Sequence, residues 1–276
     1  MKTTNYPSDL TDEQFALLEP LLPPAKPGGR PREVNLHDII DGILYVNRTG
    51  CQWRALPHDY PPWSTVYHYF RTWRNDETWQ LLNETLRPQV RVQAGRPPTP
   101  QTAYIDSQSV KSSHLPSAVG YDPGKKISGR KRHIVVDSMG LLMAVLVTAA
   151  SVPDAVAAED ALAMFLWSAF PRLRRVWADT AYATRALLAT VASWGQRWTV
   201  QIVRRAAGVQ GWVLLPKRWV VERTFGWLIR YRRHSRDYEQ RTQSSEAMIY
   251  ISMIDRMVHR LKPERGHHRF YYRKAG

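Results

Sequence analysis

Apolar residues in the first third of the chain recur at the spacing of amphipathic helices. One face of the helix predicted from residue 36 carries Leu36, Ile40, Ile43 and Leu44. One face of the next carries Val66, Tyr69, Phe70 and Trp73, with Ser64 or Thr65 as the expected N-cap. Thr11 and Gln14 have the spacing of a capping box. Residues 1–93 are therefore predicted to form a small all-α domain. DNA binding by a helix-turn-helix and dimerisation remain alternative roles for it.

The periodicity changes after residues 94–100, a segment with three prolines and a glycine that cannot continue a helix. We interpret this segment as a linker. Beyond it the pattern predicts a strand ending at Asp106, then a β-hairpin whose turn is residues 137–140. A helix, a strand ending at Asp179, a second helix and a third single strand follow. The order predicts an α/β fold, a mixed sheet flanked by helices, over residues 101–262.

The last predicted helix begins at Pro216 and runs to about Arg236. On a helical wheel, Glu222 shares an arc with Gly226, Arg230 and Arg233. The opposite arc, expected to pack on the sheet, consists of Val221, Thr224, Phe225, Leu228 and Tyr231. Residues 263–276 form a basic, aromatic tail that we expect to become ordered on a partner.

The composition indicates a hydrophobic core and favours a polyanion as binding partner. Hydrophobic residues make up 43% of the 276-residue chain, enough to bury a core. Acidic and basic residues balance over residues 1–100, so the net charge of +15 belongs to residues 101–276. Such a charge favours nucleic acid as partner, although a solvated basic surface, as in ribosomal proteins, is the alternative.

The single cysteine, Cys51, excludes an intrachain disulfide and a cysteine-based zinc site. The first ten residues lack the apolar region of a signal peptide. The longest apolar run, near residues 141–150, is too short to cross a bilayer. We therefore expect a cytoplasmic protein, associated with the nucleoid and not with a membrane.

Three acids stand out by position. Asp106 and Asp179 lie at predicted strand ends, where α/β sheets place their sites. Glu222 is the only acid between Asp179 and Asp237, in a markedly basic stretch. Converging carboxylates need cations between them, and their hard oxygen ligands suit Mg²⁺ or Mn²⁺. Two such ions clamp the attacking and leaving oxygens of a phosphodiester displacement. The hypothesis is that carboxylates hold metals while neighbouring basic residues hold DNA phosphates.

Each acid also has a structural interpretation. An aspartate after a strand is commonly a turn former, and Glu222 could form an exposed ion pair with Arg218 or Arg223. Four further acids are interpreted as turn or cap residues: Asp137, Asp154, Glu159 and Asp160. Four tryptophans are interpreted as core residues: Trp194, Trp198, Trp212 and Trp219.

Four blocks of sequence resemble the DDE transposases of small bacterial insertion sequences. They are "YIDSQSVK" from Tyr104, "GRKRHIVVDSMGLL" from Gly129, "WADTAYA" from Trp177 and "RWVVERTFGWLIRYRRHSRDYE" from Arg218. The resemblance is strongest to the insertion-sequence-5 branch of the insertion-sequence-4-like superfamily. It extends to Gly50–Trp73, which is similar to the helical domain preceding the catalytic core there, and so covers nearly the whole chain.

The resemblance implies an RNase H-like core with Asp106, Asp179 and Glu222 as the metal-binding and catalytic triad. It implies Mg²⁺-dependent hydrolysis at the terminal inverted repeats, followed by attack of a 3′-OH on target DNA. No covalent protein–DNA intermediate is expected. Because two ends must be paired, the resemblance also implies a homodimer or larger assembly on double-stranded DNA.

The superfamily signature Tyr-x2-Arg-x3-Glu-x6-Lys is only partly present. Arg218 and Glu222 fit it, whereas Leu215 replaces the tyrosine and Ile229 stands at the lysine position. Arg230 or Arg233 could supply the phosphate contact of that lysine. The full set of residues predicted to contact DNA is Lys111, Lys125, Lys126, Arg130, Lys131, Arg132, Arg218, Arg223, Arg230 and Arg233.

Two other functions remain open. A tyrosine recombinase, suggested by "HHRFYYR" in the tail, would form a covalent phosphotyrosine link and be active in EDTA. A non-catalytic DNA-binding protein derived from a transposase would bind element ends without cutting them. The intact triad argues against the second alternative.

Overall fold

The computed structural model describes residues 6–25, 28, 31–113, 117–164, 170–204 and 219–263. An all-helical segment comes first and a mixed sheet with further helices follows, which confirms the predicted fold class. The described residues of this segment form four α-helices: α1 (Asp12–Phe15), α2 (Leu36–Thr49), α3 (Trp63–Asn75) and α4 (Thr78–Gln93). None of the described helices is both long and apolar enough to span a membrane.

Local capping explains where these helices begin. The predicted capping box is confirmed, since the Thr11 hydroxyl accepts from Gln14 N and the Gln14 side chain from Thr11 N. The predicted N-cap of α3 is wrong. Pro62 occupies that position without a side-chain cap, and Ser64 lies inside the first turn. Proline fixes φ and lacks an N–H group, so the helix can start directly after it.

The sheet contains six strands: β1 (Thr102–Lys111), β2 (Gly120–Asp122), β3 (Ile127–Asp137), β4 (Leu142–Ala149), β5 (Arg175–Ala178) and β6 (Thr199–Ile202). Its order is β2-β3-β1-β5-β6, and β4 also pairs with β3. The pairs formed by β3 are antiparallel, whereas β1–β5 and β5–β6 are parallel. The predicted hairpin is confirmed as β3 and β4. This is the mixed sheet of an RNase H-like core, with β1 at its centre.

Strand β1 does not end at Asp106, as the sequence pattern predicted. It continues to Lys111 because β3 is long enough to pair with it throughout, from Ala103 opposite Asp137 to Lys111 opposite Gly129. Asp106 therefore lies in the middle of a central strand. Its backbone is paired with Ile134 of β3, which holds it more firmly than a loop would.

Four more helices flank the sheet: α5 (Asp154–Ala163), α6 (Arg185–Ser193), α7 (Trp219–Leu228) and α8 (Thr242–Leu261). Pro216, the expected start of α7, lies outside the described residues. The helix ends earlier than predicted, because Arg230 N and Tyr231 N bond to carbonyls only three residues back and tighten the last turn. Arg230 and Arg233 are therefore not on the helical arc of Glu222. The predicted packing arc is confirmed, since its five members are buried.

Helix α8 was not predicted from the sequence. It lies between the N-terminal helices and the sheet, and it is buried on several sides, so its apolar residues do not mark a single face. One apolar cluster joins residues of α2 to α4, α7, α8 and the adjoining sheet face. A second cluster lies on the other face, under α5 and α6.

The division into residues 1–93, the linker 94–100 and residues 101–262 stays a prediction, and residues 264–276 of the predicted tail lie outside the described part.

Glu246 of α8 provides a pH-dependent contact with the sheet. Its carboxylate accepts a hydrogen bond of 2.8 Å from Val147 N, and burial raises its pKa to about 7. The folded state therefore holds a proton that the unfolded state releases, and the resulting stability is lost as pH rises through 7. Glutamine never ionises. The free energy of unfolding of Glu246→Gln, relative to that of wild type, should therefore increase by about 3 kcal/mol when the pH is raised from about 5 to about 8.

Urea unfolding of both proteins at the two pH values measures this difference, with the exposed Glu19→Gln as control. A difference that does not change with pH would contradict the role given to the Glu246 carboxyl group.

Candidate active site

The two predicted aspartates lie level with each other, Asp106 within β1 and Asp179 directly after the adjacent strand β5. The parallel register of β1 and β5 pairs Tyr104 with Trp177. Asp106 and Asp179 are each two residues further along, with their side chains half-buried. Asp179 directly follows β5 and caps a 3₁₀ turn by accepting from Ala181 N at 2.8 Å. Because neighbouring strands are about 4.8 Å apart, this register sets the two aspartates side by side.

Glu222 lies on α7, which packs against β1 and β3. The β3–β4 turn anchors this helix. Thr224 Oγ1 donates to Gly140 O at 3.2 Å, and the Arg223 guanidinium donates to Met139 O at 3.0 Å. Gly140 has φ of 76°, and a Cβ there would come within 2.7 Å of Thr224 Oγ1. Only glycine allows this close approach.

The Glu222 side of α7 is open. Glu222 is exposed, and a Cβ added to Gly226, one turn further on, would meet no atom within 4 Å. Asp106, Asp179 and Val221, the neighbour of Glu222, line one small cavity between the sheet and α7. The structure thus brings the two aspartates together and sets the helix of Glu222 beside them.

Metal ligation can be tested on the described residues. They contain no group of three or more His, Cys, Asp or Glu side chains arranged to hold a metal ion. The donors themselves fit, because carboxylate oxygens are the ligands that Mg²⁺ and Mn²⁺ prefer. Both aspartates also influence the same buried group. Burial raises the pKa of the Tyr182 hydroxyl most, and the charges of Asp106 and Asp179 raise it further.

Of the residues predicted to contact DNA, four are exposed: Lys111, Lys125, Lys126 and Arg230. Lys125 lies beside the first aspartate, because its Nζ donates to Ser107 O at 3.2 Å. Arg223 is half-buried on α7, next to Glu222. Arg218 lies outside the described residues. The exposed members remain available to a phosphate backbone.

Four other predicted DNA contacts are directed into the protein instead. Arg130 is fully buried and donates to Asp237 and to the carbonyls of Ser117, Glu239 and Gln240. Arg132 donates to the carbonyls of His234 and Arg236. Arg233 pairs with Glu239 at 2.7 Å and donates to Cys51 O. Lys131 pairs with Asp154 at 3.1 Å. For Arg130, Lys131 and Arg132, strand pairing decides this, because "GRKRH" forms part of the central β3 and is not a loop.

A stacked set of tryptophans and arginines lies on α7 and α8. The Arg223 guanidinium lies 4.3 Å from the Trp219 ring centre and 4.6 Å from that of Trp227. Arg256 and Arg260 of α8 approach the Trp227 ring at 4.0 and 4.8 Å. Burial lowers the pKa of Arg256 to about 10, so its guanidinium group remains charged at neutral pH. The interpretation of Trp219 as a core residue is wrong, since it is 42% exposed.

Sequence reasoning missed Arg256 and Arg260 because no element had been assigned to their segment. Helical periodicity in residues 242–261 could have found them.

The interpretation of Asp137 is confirmed, since it caps the hairpin turn by accepting from Met139 N and Leu141 N, and it also pairs with Arg91. The interpretation of Asp154 as a cap is wrong, because Pro153 is the N-cap and the Asp154 carboxylate contacts the sheet.

An RNase H-like sheet with side-by-side aspartates on its central strands defines a class of enzymes that process nucleic acids. A family model described as "Transposase DDE domain" matches residues 97–254. A second, described as "Putative transposase of IS4/5 family", matches residues 10–83. The chain therefore belongs to the DDE transposase family, whose catalytic domains generally depend on a divalent metal and whose members bind DNA.

A related protein is the "Insertion element IS402 uncharacterized 16.2 kDa protein" of Burkholderia cepacia. It is 33% identical over 122 residues, which cover 41% of this chain and 80% of that protein. This similarity supports the assignment to a transposase of the insertion-sequence type.

Proposed function

We propose that this transposase cleaves DNA at the terminal inverted repeats of an insertion sequence and joins the resulting 3′-OH ends to target DNA. The observation that carries the proposal is the level placement of Asp106 and Asp179 on adjacent strands, beside the open face of α7 that bears Glu222. Acidic side chains at this position, within a chain of net charge +15, suit a metal-dependent reaction on a polyanion.

Asp106, Asp179 and Glu222 would hold Mg²⁺ or Mn²⁺, expected as two ions. Such ions supply Lewis-acid stabilisation of charge on the phosphoryl oxygens and an activated water. The contribution of the protein is to fix the carboxylates. The central strand holds Asp106, the 3₁₀ turn holds Asp179, and the hairpin turn holds the helix of Glu222.

Basic side chains around the acids would bind the DNA backbone. Lys125 and Lys126 lie between β2 and β3, the Lys125 ammonium group donates to Ser107 O of β1, and Lys111 ends β1. On the helix side the candidates are Arg223, Arg230, Arg256 and Arg260. Arg230 is the better replacement for the family lysine, because it is exposed whereas Arg233 is paired with Glu239.

The N-terminal helices are proposed to serve end binding or dimerisation. Pairing two DNA ends calls for at least two copies of the chain, so we expect a homodimer or larger assembly on DNA. Arg74 is exposed enough on α3 to take part, although its guanidinium also donates to Ser244 of α8 at 2.7 Å. Sizing the protein with and without paired terminal-repeat duplexes distinguishes the two roles.

The decisive experiment is cleavage of duplexes carrying the element's own terminal inverted repeats. We expect strand cleavage with Mg²⁺ or Mn²⁺, none in EDTA, and no protein attached to the DNA after denaturation. Full activity in EDTA or a trapped phosphotyrosine link would establish a tyrosine recombinase instead. Specific binding without cleavage at any divalent-metal concentration would establish a non-catalytic DNA-binding protein.

Salt dependence tests the helix-side DNA contacts. We expect the double variant Arg256→Gln/Arg260→Gln to reduce the slope of log affinity against log salt by about 2, since each lost phosphate contact removes about 0.9. Fluorescence anisotropy of a labelled terminal-repeat duplex across a salt series measures the slope. The matched control is Arg172→Gln/Arg175→Gln, which removes two exposed arginines near the end of β5 remote from Asp179. An equal change in both double variants would remove the case for a specific surface on α8.

A further inference from the structure

Asp154 lies on a flanking helix, but its carboxylate contacts the central strands of the sheet. It is the first residue of α5, and its Oδ1 atom accepts from Ser107 Oγ at 2.8 Å. The same oxygen lies 3.1 Å from Lys131 Nζ. Neither contact serves the helix itself. The carboxylate instead links α5 to the two strands that carry Ser107 and Lys131.

Lys131 is unusual among the lysines because it is buried, with 6% of its surface exposed. Its ammonium group donates to Val152 O at 2.9 Å and lies 3.8 Å from Asp122 Oδ2. A buried lysine requires compensation of its charge. Asp154 provides the nearest carboxylate, so the charges of the two side chains compensate each other beside strand β1.

Ser107 connects this pair to the first aspartate of the proposed site. Its backbone N–H donates to Asp106 Oδ1 at 2.7 Å while its hydroxyl donates to Asp154. A displacement of Asp154 therefore acts on the residue that orients the Asp106 carboxylate. Residues that hydrogen-bond to metal ligands commonly set the orientation of those ligands.

Tyr182 provides a second, independent observation about this site. It lies in the 3₁₀ turn after Asp179, its side chain is fully buried, and its hydroxyl, which lies near Ser107, makes no hydrogen bond of ordinary geometry among the residues described. Burial raises its pKa most, and the charges of Asp106, Asp154 and Asp179 raise it further. The protonated hydroxyl thus lies within the electrostatic influence of three carboxylates. A buried donor without a partner is costly and calls for a ligand or a functional role.

We propose that Asp154 and Tyr182 are positioning residues of the acidic site: Asp154, fixed by Lys131, orients Asp106 through Ser107, and the buried Tyr182 hydroxyl supports the same arrangement from its place near Ser107. This inference rests on the proposed function of that site. It gives Lys131 a role in shaping the site, in place of the DNA contact expected from the sequence.

The probe is Mn²⁺ alone, titrated into the full-length, DNA-free protein and followed by electron paramagnetic resonance of the unbound ion. Tyr182→Phe keeps the ring and removes the hydroxyl. We expect it to weaken Mn²⁺ binding about 10-fold or more, within the 10–100-fold range typical of residues that support metal ligands. Asp160→Asn removes a carboxylate from the exposed side of the same helix α5 and should leave binding unchanged.

Asp154→Asn alone leaves Lys131 buried without its partner and can unfold the chain. The double variant Lys131→Met/Asp154→Asn removes both charges together and is expected to fold, because apolar replacement of a buried ion pair is often tolerated. It should match wild type in circular dichroism and thermal unfolding in EDTA, yet bind Mn²⁺ about 10-fold more weakly. A pair that only stabilises the fold would leave the affinity of this folded variant at the wild-type value.

Wild-type Mn²⁺ affinity in both Tyr182→Phe and the double variant would overturn the inference. The proposed function fails by a different result, namely tight Mn²⁺ binding by wild type without cleavage of terminal-repeat DNA. Where cleavage is observed, the Mg²⁺ concentration for half-maximal rate should rise in the variants by the same factor as the Mn²⁺ dissociation constant. Their affinity for DNA in Ca²⁺ should not change.

Discussion

Replacing Glu222 with glutamine should reduce Mg²⁺-dependent cleavage of terminal-repeat DNA by about 10³-fold, while DNA affinity stays at or above the wild-type value. The variant keeps the size of the side chain but removes the only acidic charge of α7. Loss of a metal ligand withdraws several kcal/mol of transition-state stabilisation, and about 1.4 kcal/mol corresponds to a tenfold change in rate. DNA affinity should not fall, because removing a negative charge among arginines reduces repulsion of the phosphates.

Single-turnover cleavage rates and anisotropy titrations of the same duplex measure the two effects. The exposed Glu84→Gln on α4 is the matched control and should change neither. Normal cleavage by Glu222→Gln would show that another residue completes the site. A parallel loss of binding and cleavage would indicate that Glu222 supports the structure of α7 and not the reaction.

Arg130→Met is expected to lower the free energy of unfolding by about 3–5 kcal/mol, because it removes one partner of a buried ion pair. Arg130 is fully buried, and its guanidinium lies 3.1 Å from Asp237 Oδ1. It also donates to three backbone carbonyls in the segments around Ser117 and Glu239. Those acceptors would lose a charged donor together. For a chain of this size the melting temperature should drop by about 10 °C.

Arg230→Met provides the converse control, since it is the same substitution at an exposed arginine after α7. It should leave the melting temperature within about 2 °C of wild type and weaken DNA binding in a salt-dependent way. Thermal unfolding in EDTA and anisotropy at two salt concentrations separate the two variants. A stable Arg130→Met with reduced DNA affinity would restore the DNA role that the sequence suggested for Arg130.

Local patterns were sufficient to predict much of the fold. The capping box at Thr11, the hairpin around Asp137 and the strand that stops before Asp179 all follow from short-range physics: caps, turn residues and period-two alternation. Helix α8 was missed because burial on several sides removes the one-sided pattern that sequence reasoning looks for. The start of α3 was misplaced because a proline can begin a helix without a side-chain cap.

The sequence did not predict which basic residues are exposed and which are buried. "GRKRH" has the composition of a DNA-binding loop, and charge alone cannot distinguish a solvated arginine from one with an internal carboxylate partner. Pairing of β3 with β1 on one side and β4 on the other buries Arg130, Arg132 and Lys131. Residues that compensate these charges, such as Asp237, are far away along the chain.

The sequence by itself determined the class of fold, the family and the identity of three candidate acids, because these depend on periodicity and on motifs that are contiguous in the chain. Tertiary structure alone decided where these acids lie relative to one another. Parallel pairing of β1 with β5 sets Asp106 level with Asp179, the hairpin turn holds α7 beside them, and α5 brings Asp154 to Ser107. Each of these contacts joins residues distant in sequence, so register and packing, which no local pattern encodes, determine the geometry of the site.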